Sequence, residues 1–225
     1  MSNLLSVLSE SARWHLMVDA AKKAAEAQGY SMTRVPGRGL SNIWNITKGG
    51  KTEMAAIRTT RDRYIAFPPL QGGAKWKTLD DVETVIVATV DSKDDPENVE
   101  VYIFPAHDVR KRFNAHYAAR SKEGQTIKDN FGMWVGLDRD NRGIAASVGT
   151  GILDHYKRVA VYSISDLLAD NPHGEAGSEE PEHAPETVEP GLSTIAEVMA
   201  WARDRVAQLA GVQAEAVKLD LKIEY

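Results

Sequence analysis

Between residues 41 and 120 the order of apolar and polar positions changes character repeatedly, and each change marks an element. Asn42–Thr47 reads as a strand, Lys48-Gly49-Gly50-Lys51 as a tight connection, and Glu53–Thr60 as its hairpin partner. Period two sets Met54, Ala56, Arg58 and Thr60 on one face of that partner and Glu53, Ala55, Ile57 and Thr59 on the other. Arg61-Asp62-Arg63 turns the chain before a strand at Tyr64–Phe67, which Pro68-Pro69 closes because proline cannot donate to a ladder. Leu70–Ala74 is a loop, and Thr78 is expected to cap a short turn with Asp81 at the acidic third position. Thr84–Val90 is an almost continuous apolar run bounded by charge, the pattern of a strand buried on both faces, around which the rest packs. Asp91–Asn98 is a charged surface turn. Val99, Val101 and Ile103 then alternate with Glu100, Tyr102 and Phe104, and a helix follows from about Pro105 with Val109, Phe113, His116/Tyr117 and Arg120 on one stripe.

The flanks complete an α/β domain with a mixed central sheet and flanking helices. A leading helix carries Trp14, Met17, Val18, Ala21, Ala24 and Ala25 on one stripe, starts near Ser2 or Ser11, and stops at Gly29. Tyr30–Val35 is a strand ended by the turn Pro36-Gly37-Arg38-Gly39, flanked by Arg34. Further on, Phe131–Leu137 forms a strand or a packed loop, Val159–Tyr162 a strand, and Ser165–Ala169 a short helix capped by Ser163 or Ser165. The domain is expected over residues 1–170. Residues 171–191, with four Pro, three Gly and six Glu, have the composition of an extended acidic linker. Residues 192–225 read as a helix followed by a strand in which Val217, Leu219, Leu221, Ile223 and Tyr225 share one face. So small an appendage must pack on the domain or on a partner chain, which makes a homodimer or a protein partner an open expectation.

Composition narrows the classes. The chain has no Cys, which excludes disulfide and thiol chemistry and fits a reducing compartment. No apolar run approaches the ~20 residues that span a bilayer, and the first ten residues lack the pattern of a secretory signal, so a cytoplasmic protein with no membrane partner is expected. The overall charge of −5 hides a polarity: residues 1–80 carry 12 Lys or Arg against 6 Asp or Glu, and residues 171–225 carry 4 against 11. A basic portion attracts phosphate backbones, and an acidic tail screens it or keeps the protein in solution.

A leading helix, a meander with a polar third strand, a connection, a buried strand and a second helix together resemble the restriction-endonuclease-like nuclease superfamily. Ala56-Ile57-Arg58-Thr59-Thr60 resembles the acid-hydrophobe-lysine-threonine-serine/threonine signature on the third strand of that superfamily. Val101-Tyr102-Ile103-Phe104-Pro105-Ala106 resembles a strand-to-helix junction of its small members. The resemblance covers roughly residues 12–120. It implies a metal-binding carboxylate on the second strand and an acid-x-lysine triplet on the third, yet Asn42 and Ala56 stand at the two acidic places and Arg58 at that of the lysine. Methyl and amide groups supply no anionic oxygen, and arginine cannot serve as a general base, although its planar fork suits a phosphate. These departures imply either a binding-only relative of a nuclease or an unrelated α/β fold, with no catalytic residue, metal ligand or cofactor assigned.

The candidate nucleic-acid interface consists of Arg34, Arg38, Arg58, Arg61, Arg63, Lys75 and Lys77, with Trp76 as a stacking surface beside Trp44 and Tyr64. DNA and RNA are equally open as partners. Three other readings stay open. An active nuclease would recruit Glu53, Asp62, Asp80 or Asp81 to hold metal; an assembly module would use the acidic linker and C-terminal strand; a small-ligand protein or another enzyme would show neither. No Gly-rich phosphate motif, nucleophile elbow or His-x-x-x-His pair raises a specific enzyme class, and nine residues separate His107 from His116, too many for a metal pair on one helix. The aromatic residues equally suit a core and the cations a solvated sheet face. An interface requires most of the named cations on one exposed face near an exposed ring; packing alone predicts their dispersal.

Overall fold

The computed structural model describes residues 8–35 and 42–170, with the isolated positions Leu5, Met199, Arg203 and Lys218. The chain divides into two compact units, Met1–Glu182 and His183–Tyr225, and the first is the one described below. The turn around Arg38, the linker at 171–191, and the C-terminal helix and strand expected at 192–225 lie outside the described residues.

The first helix, α1, spans Glu10–Ala27. Neither Ser2 nor Ser11 begins it. Ser9 does, because its hydroxyl is the one placed to accept the Ala12 amide, at 3.2 Å. A short strand β1 (Ser31–Arg34) follows, then β2 (Ile43–Lys48) and β3 (Lys51–Thr60). Gly49 and Gly50 join these two with φ values of 59° and 79°, the left-handed pair that a tight hairpin connection demands. After β4 (Tyr64–Phe67), β5 (Pro69–Leu70) and β6 (Lys75–Trp76), the buried strand β7 (Thr84–Val90) returns parallel to β3, and β8 (Asn98–Pro105) lies antiparallel to β7. Helix α2 (Ala106–Lys122) leaves directly from β8. The remaining elements are β9 (Met133–Gly136), α3 (Ile144–Ser147), β10 (Ala160–Ser163) and α4 (Ile164–Asp170).

The sheet is mixed and six-stranded, in the order β1-β2-β3-β7-β8-β10, and helices cover both faces. Every residue of β7 is buried, as its unbroken apolar run requires at the centre of a covered sheet. On one face, the row Ile57–Ile86–Ile103 meets α1, whose Ala20, Ala21, Ala24 and Ala25 are fully buried; their small side chains let the helix axis approach the sheet closely. The other face packs on α2 through Val109 and Phe113.

Two small antiparallel ribbons stand apart from this sheet. The strand at Tyr64–Phe67 pairs with β9, and β5 pairs with β6. Phe131–Leu137 therefore resolves into a strand only in its middle. Thr78 stands at the N-cap of the short turn Leu79–Asp81 as expected, but with φ 70° its hydroxyl makes no capping bond, and the Asp80 carboxylate accepts the Trp76 amide at 2.7 Å.

Candidate nucleic-acid interface

Cross-strand register orders the α2 face into rows of increasing polarity. Ala56–Val85–Phe104 is wholly apolar, Arg58–Val87–Tyr102 is mixed, and Thr60–Thr89–Glu100 is polar. Glu100 is buried within this last row, and a carboxylate taken out of water requires partners. It accepts from the Tyr102 hydroxyl at 2.9 Å, from Arg158 at 2.5 Å and from Arg63 at 3.3 Å. Arg63 also holds Asp138 at 2.6 Å and donates to the Val90 carbonyl at 2.6 Å, so one guanidinium ties the turn after β3 to β7, β8 and the loop beyond β9. The hydrogen bond to Asp138 holds the guanidinium firmly protonated. Burial, reinforced by Glu100, pushes the Tyr102 hydroxyl up to about 12.

These contacts relocate several residues expected at an interface. Arg58 is only 8% exposed; it lies over the Phe67 ring at 4.6 Å and donates to the Ile57 carbonyl at 3.1 Å. Its face of β3 is roofed by β4, which the alternation within β3 alone does not reveal. Arg63 is spent on Asp138 and Glu100. Trp76, expected to stack on bases, is 2% exposed and anchors the interior: its indole donates to Asn114 at 2.7 Å and packs edge-on against Phe113. Arg34 sits on β1, at the far edge of the sheet from β10. Trp44 is half-buried, with Lys22 over its ring. Arg61, Lys75 and Lys77 are exposed, the latter two on and just after the strand β6. Among the described residues the named cations are therefore dispersed between core and surface, as packing alone predicts, and do not form the single exposed face that was expected of an interface.

The places implied for metal carboxylates are closed as well. Ala56 is fully buried between Ile43 and Val85. Asn42 is buried, and its side-chain oxygen accepts the Trp44 indole at 2.7 Å. The alternative acids lie apart. Glu53 accepts from Thr84 at 2.7 Å and Lys51 at 2.9 Å near the start of β3, and Asp62 accepts from Thr60 at 2.8 Å beyond its end, roughly 25 Å away at ~3.4 Å per residue. Asp80 is held by Arg110. Among the described residues no three His, Asp or Glu side chains converge to hold a metal ion.

What the alternation of β9 did not disclose is its outer face. Met133 and Val135 point inward, whereas Trp134 is 47% exposed and Phe131, just before the strand, is 62% exposed. Their ring centroids are 6.0 Å apart with planes at 81°. The signal was present as an aromatic at the odd position of a Met-Trp-Val triplet, but only the pairing of β9 with β4 says which side is outward.

The loop that carries Phe131 is bound to the β5–β6 ribbon. The Asn130 amide donates to Pro69 at 2.9 Å, and the Gly72 amide to Asp129 at 2.9 Å. Lys77 donates its own amide to Pro68 at 2.9 Å, and Lys128 opens the turn that Phe131 closes. Lys75, Lys77 and Lys128 are exposed and lie on this ribbon and on the loop hydrogen-bonded to it. Farther along the same outer face, Tyr64 carries Arg142 over its ring at 5.7 Å and donates to Asp140 at 3.0 Å. Arg142 also holds the buried Asp140, keeping that carboxyl well below the usual range.

The chain was compared with protein-family models, with curated proteins and with solved structures. None matches. Among the described residues no helix is long and apolar enough to cross a membrane.

Proposed function

We propose that this protein binds nucleic acid without cleaving it, as a binding-only relative of the restriction-endonuclease-like proteins its element order resembles. The observation that carries the reading is the exposed pair Phe131–Trp134, next to a ribbon and a loop that carry the exposed Lys75, Lys77 and Lys128. Exposed aromatic faces beside cations supply the two things a nucleic acid requires, a surface for bases and neutralisation for phosphates. Arg61 adds a further exposed cation to the original set, while Arg58, Arg63 and Trp76 support the interface from within. The absence of catalysis in this reading follows from Ala56 and Asn42, which are packed where the chemistry would need anionic oxygens.

The test is a fluorescence-anisotropy titration of labelled oligonucleotides at two or more salt concentrations. Binding should weaken with salt, with a log–log slope of about −0.9 per duplex phosphate or −0.7 per single-strand phosphate neutralised. Lack of binding to DNA and RNA at low salt would remove the proposal.

A further inference from the structure

We infer that the outer face of the β4–β9 ribbon is a seat for single-stranded nucleic acid, with one unstacked base held in the corner between Trp134 and Phe131. The inference rests on the nucleic-acid reading above and specifies the form of the ligand.

Three observations lead to it. The first is the attitude of the Trp134 ring. A Cβ placed on Gly132 would lie 2.6 Å from Trp134 Cη2 and 2.8 Å from Cζ2, so the indole is folded down along its own strand and rests over the glycine backbone. A ring supported in this way turns a π surface to solvent and loses little freedom when something settles on it. Second, the Phe131 plane stands at 81° to the indole, which makes floor and wall of an open corner rather than a closed stack. A flat, unpaired base fits such a corner; a base within a duplex, whose faces are already covered by its neighbours, offers only edges and phosphates.

Third, exposed lysines lie on one side of the corner and an aromatic ring on the other. Lys75, Lys77 and Lys128 stand on the side of the β5–β6 ribbon, and the Asp129 carboxylate among them is occupied by the Gly72 amide. On the other side, Tyr64 lies two positions along β4 from Ala66, the residue opposite Trp134. Trp134 and Tyr64 are therefore diagonal cross-strand neighbours, ~7–8 Å apart and about twice the ~3.4 Å between stacked bases. Consecutive bases separated so far must be unstacked, as they are only in a single strand. Arg142 does not add a free cation there, because it is held by Asp140 and by the Tyr64 hydroxyl.

The surface commits to nucleic acid over an apolar peptide because the segments joined to it carry three exposed lysines, and because the large exposed hydrophobics of the ribbon and its loop are both aromatic.

The experiment uses the full chain and compares labelled oligothymidylate, oligouridylate and a duplex. Binding of either single strand more tightly than duplex is the expected result. Trp134→Ala should weaken single-strand binding by about five- to a hundredfold, the range of one lost base–aromatic stack, while leaving the salt slope unchanged. Trp134→Phe should restore most of the affinity. Gly132→Ala provides an independent lever: its backbone is open to any residue, and its methyl group must lift the indole, so it should weaken single-strand binding with every interface side chain still present. Lys75→Ala with Lys77→Ala should weaken both ligands and flatten the salt dependence.

Binding of duplex and single strand alike, with no effect of Trp134→Ala or Gly132→Ala, would overturn the seat while leaving the broader reading intact; binding of neither would remove both. Self-association that Trp134→Ala abolishes, without change in oligonucleotide affinity, would assign the face to a second copy of the chain and overturn the inference.

Discussion

The two faces of the central sheet solve the same burial problem by opposite means. Toward α1 the rows Ile57–Ile86–Ile103 and Ala88–Val101 meet the buried alanines of the helix, and burial of apolar area dominates the interaction, with Lys22 and Lys23 over Trp44 and Tyr162 at its margins. Toward α2 the apolar character runs out along the strands, and the last row is completed by Arg63, Glu100, Tyr102 and Arg158. The first face tolerates changes of shape poorly and changes of pH well; the second depends on each polar partner being present and correctly charged. The difference shows that one sheet can be both a packed core and a frame that fixes the loops of a surface.

The comparison is sharpened most by the largest perturbation, Ile86→Ala, at the middle of the dry face. It should cost about 2–5 kcal/mol, a lost transfer contribution plus a cavity that the neighbouring strands cannot collapse into, read as a lower urea midpoint at unchanged m-value. Arg63→Met tests the polar face. It leaves Glu100 with Tyr102 and Arg158 alone, and because Arg63 is partly solvated the cost should be nearer about 2 kcal/mol than the full penalty for breaking a buried pair. Glu100→Gln in that background should cost less than in the unmodified protein, which a double-mutant cycle measures. Equal costs in both backgrounds would show that the two side chains act independently.

The pH dependence should be smaller, and His116 and Asp140 both contribute to it. Burial holds His116 below its usual value, assisted by Arg120 and opposed by the Val148 carbonyl and Asp140. Its folded pKa being depressed, the unfolded chain binds the proton first; the contribution to stability is complete above ~6.5 and is lost as pH falls from there through the folded value. Asp140, held down by Arg142, follows the same sign in a lower window, its contribution being lost as pH falls below ~3.9. Urea midpoints measured from neutral to acidic pH should fall, and His116→Gln should flatten the upper part of that fall. Smallest of all should be the stability effect of Trp134→Ala, within about 0.5 kcal/mol, because the ring stands outside the core. A large loss would mean that the ring is an architectural part of the ribbon.

The dry face was the legible one. Alternation along Glu53–Thr60, the apolar run Thr84–Val90 and the helical stripe of α1 each record burial in local order, and the elements appear within a few residues of their expected bounds. The polar face was not legible, because Arg58 is buried by Phe67 and Glu100 by Arg158, residues supplied from other elements. Alternation assigns a strand its two sides but not what covers them. For the same reason Trp76 and Trp134, each on a short strand, ended in opposite environments: the first next to α2 through Asn114, the second on the outward side of a ribbon whose partner strand lies far away in the chain.

That distant pairing has a consequence for the order of assembly. Tyr64 meets Gly136 and Phe67 meets Met133, so β4 and β9 are joined only after the whole of β7, β8 and α2 has been laid down between them, whereas β2 and β3 meet across a single tight turn. Closing so long an interval yields few ladder bonds for its entropy. The ribbon should therefore be a late arrival in folding and an early departure in partial opening, with its amides exchanging sooner than those of β7. The proposed binding face would then exist only in molecules that have finished folding, so that a ligand seated there would report on completion and, by mass action, favour it.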